Sequence, residues 1–238
     1  MSEAAQLAAR RVRDRERRRL LRLHQYEFAA REAGHRFIGG VDEVGRGPLA
    51  GPVVACVVVT GGSLMLPGLN DSKQVQPERR ALLAREIKER AHAWAIGAAS
   101  VAEIDRLNIY WASVLAMERA LAALACAPDY LITDAMRLRS YGGPQLPLVK
   151  GDAKSACVAA ASIVAKEYRD DLLRALDLAF PAYGFAEHKG YATARHLTAL
   201  REHGPCEHHR RGFASVREML PLFPLDGTGA APAPASAP

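Results

Sequence analysis

The chain has 238 residues, with 32 Lys and Arg against 26 Asp and Glu, and four cysteines. That length suits one domain with an appendage; no apolar run is long enough to span a bilayer, and the polar, Arg-rich N-terminus lacks the apolar stretch of a secretory signal. Cys56, Cys126, Cys157 and Cys206 lie far apart without a CxxC pair, which points to a reduced, cytoplasmic protein rather than a disulfide framework.

Residues 3 to 32 contain neither Gly nor Pro and are rich in Ala, Arg, Leu and Glu, which predicts helix. Residues 1–36 hold ten Arg against five acids, so this Arg-rich arm carries +5 of the net +6. It reads first as a solvated extension and second as a basic arm that grips phosphates. Phe37 to Glu43 and the Val-rich run Val53 to Thr60 predict buried strands. Between them lies Asp42-Glu43-Val44-Gly45-Arg46-Gly47-Pro48, two adjacent acids followed by a turn whose backbone is bare enough to touch a ligand. Pro77 opens a helix through Leu82, Leu83 and Ile87. A short strand is expected at Trp94 to Ser100, and one helix over residues 102–126. Asp129 to Asp134 and Leu146 to Val149 predict further strands, ending at Asp134 and just before Asp152. Ala156 to Ala179 predicts an Ala-rich helix. Helical pieces with interleaved basic and aromatic residues follow over residues 181–225, and the Ala/Pro-rich tail 226–238 predicts disorder. The order gives an α/β architecture, a mixed sheet flanked by helices.

Acids recur at strand ends, where ligands of α/β sheets bind. Asp42, Glu43, Asp134 and Asp152 form a candidate cluster for two Mg²⁺ or Mn²⁺ ions, roughly 3.5 to 4 Å apart, since hard oxygen donors suit such cations and isolated like charges would repel one another. Asp42 and Glu43 are neighbours, and neighbours in a regular strand face opposite ways; sharing a site therefore predicts that the strand ends or bulges there. The glycines at 45, 47 and 51 do not make a dinucleotide fingerprint, because Pro48 and a strand follow where a helix is needed. Cys206 to His209 lacks partner ligands at zinc spacing.

Three further blocks make the pattern specific. They are Leu69-Asn70-Asp71-Ser72-Lys73; Lys150-Gly151-Asp152-Ala153-Lys154-Ser155 with Ala159 to Lys166 and Arg169-Asp170; and Gly190-Tyr191, His196, Gly204 and His209-Arg210 with Phe213. Together with Gly40 to Pro52, they resemble the motifs of ribonuclease HII from about Phe37 to Val216. Ala135-Met136 and Lys166-Glu167-Tyr168 depart from the family pattern, but neither removes a candidate ligand. The resemblance implies a ribonuclease H-like fold (37–180) with a helical C-terminal extension (181–225). It implies metal-dependent cutting of the RNA strand of RNA–DNA hybrids, and of duplex DNA on the 5′ side of embedded ribonucleotides, by a monomer. By analogy Asp42, Glu43, Asp134 and Asp152 hold the metals. Gly45, Arg46 and Gly47 contact the ribose 2′-hydroxyl and Tyr191 stacks on the next, deoxyribose, sugar. Ser72, Lys73, Lys154 and Ser155 are candidates for phosphate contacts or for turn and helix caps. Lys189, Arg195, His209 and Arg210 are placed along the duplex path, and Asp170 is set aside as structural. A non-catalytic nucleic-acid-binding module and a DNA nuclease of the same fold class are the alternatives.

Overall fold

The computed structural model describes residues 2–220, so the Ala/Pro tail lies outside the described residues. In chain order the elements are α1 (Glu3–Leu23), α2 (Gln25–Glu32), β1 (Ile38–Val44), β2 (Val53–Thr60), α3 (Pro77–Arg90), β3 (Ala93–Ala99), α4 (Val101–Leu107), α5 (Ile109–Ala122), β4 (Tyr130–Asp134) and β5 (Gln145–Leu148). The remaining elements are helical: α6 (Gly151–Lys154), α7 (Ala156–Ala179), α8 (Phe185–His188), α9 (Ala194–His203) and α10 (Ala214–Arg217). No helix is long and apolar enough to cross a membrane among the described residues.

The five strands form one mixed sheet in the order β3-β2-β1-β4-β5. β1 pairs antiparallel with β2 and parallel with β4, as the mixed α/β reading expects. Every residue of β2 is buried, because helices cover both faces of the sheet. Val54, Cys56 and Val58 pack toward α3 and α7, while Val53, Val57 and Val59 pack toward α4 and α5. Each fully buried Val contributes roughly 1.5–3 kcal/mol. α7 lies close against β1, and Gly40 makes that approach possible: a Cβ there would sit 2.1 Å from the Cys157 carbonyl carbon.

Two helices run shorter than the sequence predicts. The arm breaks at His24, whose ring nitrogen Nδ1 donates to the Leu20 carbonyl at 2.8 Å. The helix expected over 102–126 breaks at Asn108, which adopts φ +69° and accepts hydrogen bonds from the Tyr110 and Trp111 N–H groups. Neither break carries Gly or Pro, so side chains competing for backbone groups terminate these helices.

The inner half of the Arg-rich arm is part of the fold rather than a solvated extension. Leu20 and Leu23 are buried in the α3–α7 core. Glu27 is 2 % exposed and accepts from Ser155 Oγ at 2.6 Å and from the Cys157 N–H at 2.8 Å.

The C-terminal helices pack Phe185, Leu200 and Val216 against Leu49, Ala50 and Leu173. Within them His188, His196 and His209 form a buried imidazole group. The Tyr191 carbonyl can only accept, so His196 Nδ1 carries the proton. Its Nε2 then accepts from His209 Nε2–H at 3.0 Å, and His209 Nδ1 accepts from the Cys206 N–H. All of these bonds need neutral rings.

Two outcomes follow. Gly40→Ala must push α7 off the sheet, and costs about 3 kcal/mol or more in urea denaturation. Burial, together with neighbouring imidazoles, pushes His209 down to about 4. Its unfolded value is about 6.5, so its contribution is full above that pH and is lost as the pH falls through its folded value. The stability gap between wild type and His209→Gln therefore narrows as the pH is lowered from about 7 to about 4.

Candidate active site

β1 and β4 are parallel, and their pairing ends at Val41 with Thr133. The next residues on each strand are Asp42 and Asp134, so the first positions beyond the β1–β4 pairing are acids on neighbouring strand ends. Beyond this point β1 continues on β2 alone, in unbroken register to Val44 with Val54. The bulge or strand end expected at Asp42-Glu43 is therefore absent. Loss of β4 as a neighbour opens the sheet end instead, and both acids reach one cleft although they leave the strand on opposite sides.

That cleft measures about 300 Å³ and is lined by Asp42, Glu43, Asp134 and Asp152, with Gly45 to Gly47, Ser72, Lys73 and Tyr191. Asp134 Oδ1 accepts from the Gly151 N–H at 2.8 Å, which ties the end of β4 to the start of α6 and so sets Asp152 in place. Lys73 Nζ stands 3.8 Å from Asp152 Oδ2, and Arg46 reaches Glu43 Oε1 at 3.3 Å. Ser72 is buried, with its Oγ 2.9 Å from Ser162 Oγ.

The acids are electrostatically tense. Burial, then the Glu43 charge, with Asp134 and Asp152 adding to it, raises Asp42 well above the usual carboxylate range; a bond from Ser162 opposes the rise. Burial raises Glu43 against the pull of Arg46, and burial with Asp71 and Asp134 raises Asp152. Glu43 Oε2 is buried without a hydrogen-bond partner. A hard donor set with an orphaned carboxylate oxygen and mutual repulsion fits a divalent cation. Among the described residues no three His, Cys, Asp or Glu side chains already surround one metal position. The carboxylates of this cleft face the same space from separate walls.

The Gly-Arg-Gly turn is held from beneath by two buried guanidinium groups. Arg210 donates to the Gly45, Arg46 and Gly51 carbonyls at 2.6 to 3.0 Å. Arg169 donates to the Ala50, Pro52 and Lys189 carbonyls at 2.9 to 3.0 Å. Gly45 has φ +94°, and a Cβ there would meet Arg169 Nε at 2.2 Å, so the position accepts only glycine. Short backbone bonds from Leu49 to Gly190 and from Arg210 to Leu49 bring the Tyr191 segment alongside. A Cβ on Gly47 would stand 3.7 Å from the Tyr191 ring, which is 43 % exposed.

Several residues expected at the substrate are elsewhere. Arg210 and His209 are fully buried, in the turn clamp and the imidazole group, and do not line a duplex path. Ser155 is also buried; it caps α7 through the Val158 N–H and donates to Glu27. Lys154 is exposed in a neighbouring cleft rather than among the acids. Lys189 bonds the Ala186 carbonyl and Arg195 pairs with Glu187. Asp170 pairs with Arg80 and Lys166 inside the α3–α7 contact. Sequence reasoning missed Ser162 and Lys166, which also line the acidic cleft, and the clamp role of Arg169. Their signal was present: 162, 166 and 169 are spaced to share one face of α7.

Residues 39–216 match the family model described as ribonuclease HII. A ribonuclease HII of Anaeromyxobacter sp. (strain Fw109-5) is 48 % identical over 222 residues, 93 % of this chain and 70 % of the relative. That of Thiobacillus denitrificans (strain ATCC 25259 / T1) is 54 % identical over 181 residues, 76 % of this chain and 89 % of the relative. Among solved structures, ribonuclease H2 from Pyrococcus horikoshii OT3 superposes with a TM-score of 0.66 at 26 % identity, covering 77 % of this chain and 96 % of that one. With the family model spanning the acids, the turn and Tyr191 alike, the chain belongs to the ribonuclease HII family of metal-dependent endoribonucleases.

Proposed function

We propose that this chain cuts the RNA strand of RNA–DNA hybrids and the phosphodiester on the 5′ side of a ribonucleotide embedded in duplex DNA, leaving 3′-hydroxyl and 5′-phosphate ends. Such cutting begins ribonucleotide removal from DNA. The observation that carries the reading is one cleft shared by four carboxylates from three separate segments, the glycine turn and the Tyr191 ring.

Asp42, Glu43, Asp134 and Asp152 would hold two divalent ions, Mg²⁺ or Mn²⁺. When bound, these ions polarise the phosphoryl group and ready a water for in-line attack. Gly45, Arg46 and Gly47 read the ribose: with no side chain at two of the three positions, backbone groups approach the 2′-hydroxyl closely, and that hydroxyl distinguishes RNA from DNA. Arg210 acts through the turn by fixing its carbonyls, and Arg169 by fixing the loop beside it and the Lys189 carbonyl next to the Tyr191 segment. Tyr191 stacks on the following deoxyribose, which lacks the oxygen that would crowd the ring. Lys73, on the rim of the cleft, supplies positive charge for the backbone phosphates, as Lys166 does from α7.

The deciding experiment is cleavage of a duplex carrying one ribonucleotide, with Mg²⁺ or Mn²⁺ added after EDTA, beside an all-DNA duplex of the same sequence. A cut 5′ of the ribonucleotide and an intact all-DNA duplex are expected; binding without cutting would return the chain to a non-catalytic module. Asp134→Asn keeps an oxygen for the Gly151 N–H, so its circular dichroism matches wild type while the cutting rate falls on the order of 1,000-fold. Tyr191→Ala lowers the rate at a single ribonucleotide about 100-fold by leaving the junction unplaced. Tyr191→Phe keeps most of it, because the ring and not the hydroxyl does the stacking.

A further inference from the structure

The acidic cleft repels the polyanion it is proposed to cut, and charge that offsets this repulsion lies beside it. We propose that a second cleft, lined by Arg19, Arg22, Gln25, Asn70 and Lys154, is a phosphate-binding site for the backbone of the duplex on one flank of the acids. The inference rests on the functional reading above for the nature of the duplex.

Two short segments contribute to both clefts. Asn70 lies in the segment that carries Lys73 into the acidic cleft, and Lys154 lies in the short helix that carries Asp152. A backbone leaving the acids on this flank thus meets the basic cleft within a few residues' width.

The basic groups stand on a fixed support. α1 is anchored at its inner half by Leu20 and Leu23 in the core, and Glu16 accepts from Arg19 at 2.8 Å and from the Gly68 N–H at 2.8 Å. The segment so gripped leads directly to Asn70. Arg22 and Lys154 are exposed, and neither is ion-paired among the described residues. Farther out, Arg10, Arg11, Arg13, Arg15, Arg17 and Arg18 are exposed along the same helix. At 1.5 Å per residue α1 is about 31 Å long, comparable to about nine base pairs of duplex. The Arg22 guanidinium, the Lys154 ammonium and the amide donors together match phosphate oxygens. No base or sugar recognition is implied, since phosphate contacts position a duplex without reading it.

The test is the affinity of the full chain for a labelled duplex with one ribonucleotide, measured in EDTA by fluorescence anisotropy across a range of NaCl concentrations. Arg22→Ala combined with Lys154→Ala should weaken binding about 10-fold at low salt, and should flatten the plot of log affinity against log salt by about 2. The same loss is expected on an all-DNA duplex. Arg36→Ala with Arg90→Ala removes equal charge at the opposite end of the sheet, before β1 and before β3, and should leave the slope unchanged. An unchanged slope in the first variant, or an equal fall in the second, overturns the proposal. Wild-type cutting is scored separately: a chain that binds but never cuts sinks the functional reading and leaves the salt slopes to decide this one.

Discussion

Two buried arginines, with no carboxylate in hydrogen-bond or ion-pair contact among the described residues, organise the active end of this molecule. Arg169 and Arg210 are 0 % exposed, and their listeners are backbone carbonyls of the loop between β1 and β2 and of the Tyr191 segment. Burial pulls them down, to about 10 and about 9, which still leaves both charged at neutral pH. Removing a cation from water costs several kcal/mol. Carbonyl dipoles offset that cost here, and they do so only while the loop keeps its shape. The loop and the guanidinium groups therefore stabilise each other, and the turn is held by side chains from elsewhere in the chain.

That rigidity matters because the turn and the acids do opposite things. The acids are crowded, Glu43 Oε2 lacks a partner, and Asp42, Glu43 and Asp152 are raised in pKa. The turn carries no charge strain except at Arg46, which leans toward Glu43. A site that checks a sugar for one oxygen needs fixed backbone groups, since a sub-ångström shift removes the discrimination. A site that takes up cations needs carboxylates free to close. The proposed sugar contact rests on clamped loop backbone and the proposed cation ligands on an opened strand end, which keeps the two requirements apart within a few residues of β1.

Charge is divided in the same manner. The acids occupy the cleft, while the surplus of positive charge sits on α1, outside it. A polyanion can be drawn to the molecule by the helix and still be presented to acids that would repel it alone. The docking of α1 through Leu20, Leu23 and Glu16 makes this a property of the fold rather than of a loose tail.

The sequence alone determined much of this. Val-rich runs specify β1 and β2 because branched apolar residues bury well on both faces of a covered sheet. Acids at the ends of β1 and β4 mark the candidate site, since strand ends in such sheets are where ligands bind. What the sequence left open were residues whose chemistry serves two purposes equally. A guanidinium suits a phosphate or a row of carbonyls, so Arg210 read as a duplex contact although it clamps the turn. A serine hydroxyl caps a helix or binds a phosphate, and Ser155 does the first. His24 and Asn108 ended helices without a Gly or Pro to announce it. The structure decided the two helix breaks through local bonds, and Arg210 and Ser155 through burial and donor direction that depend on segments more than a hundred residues apart, as Gly51 and Arg210 are.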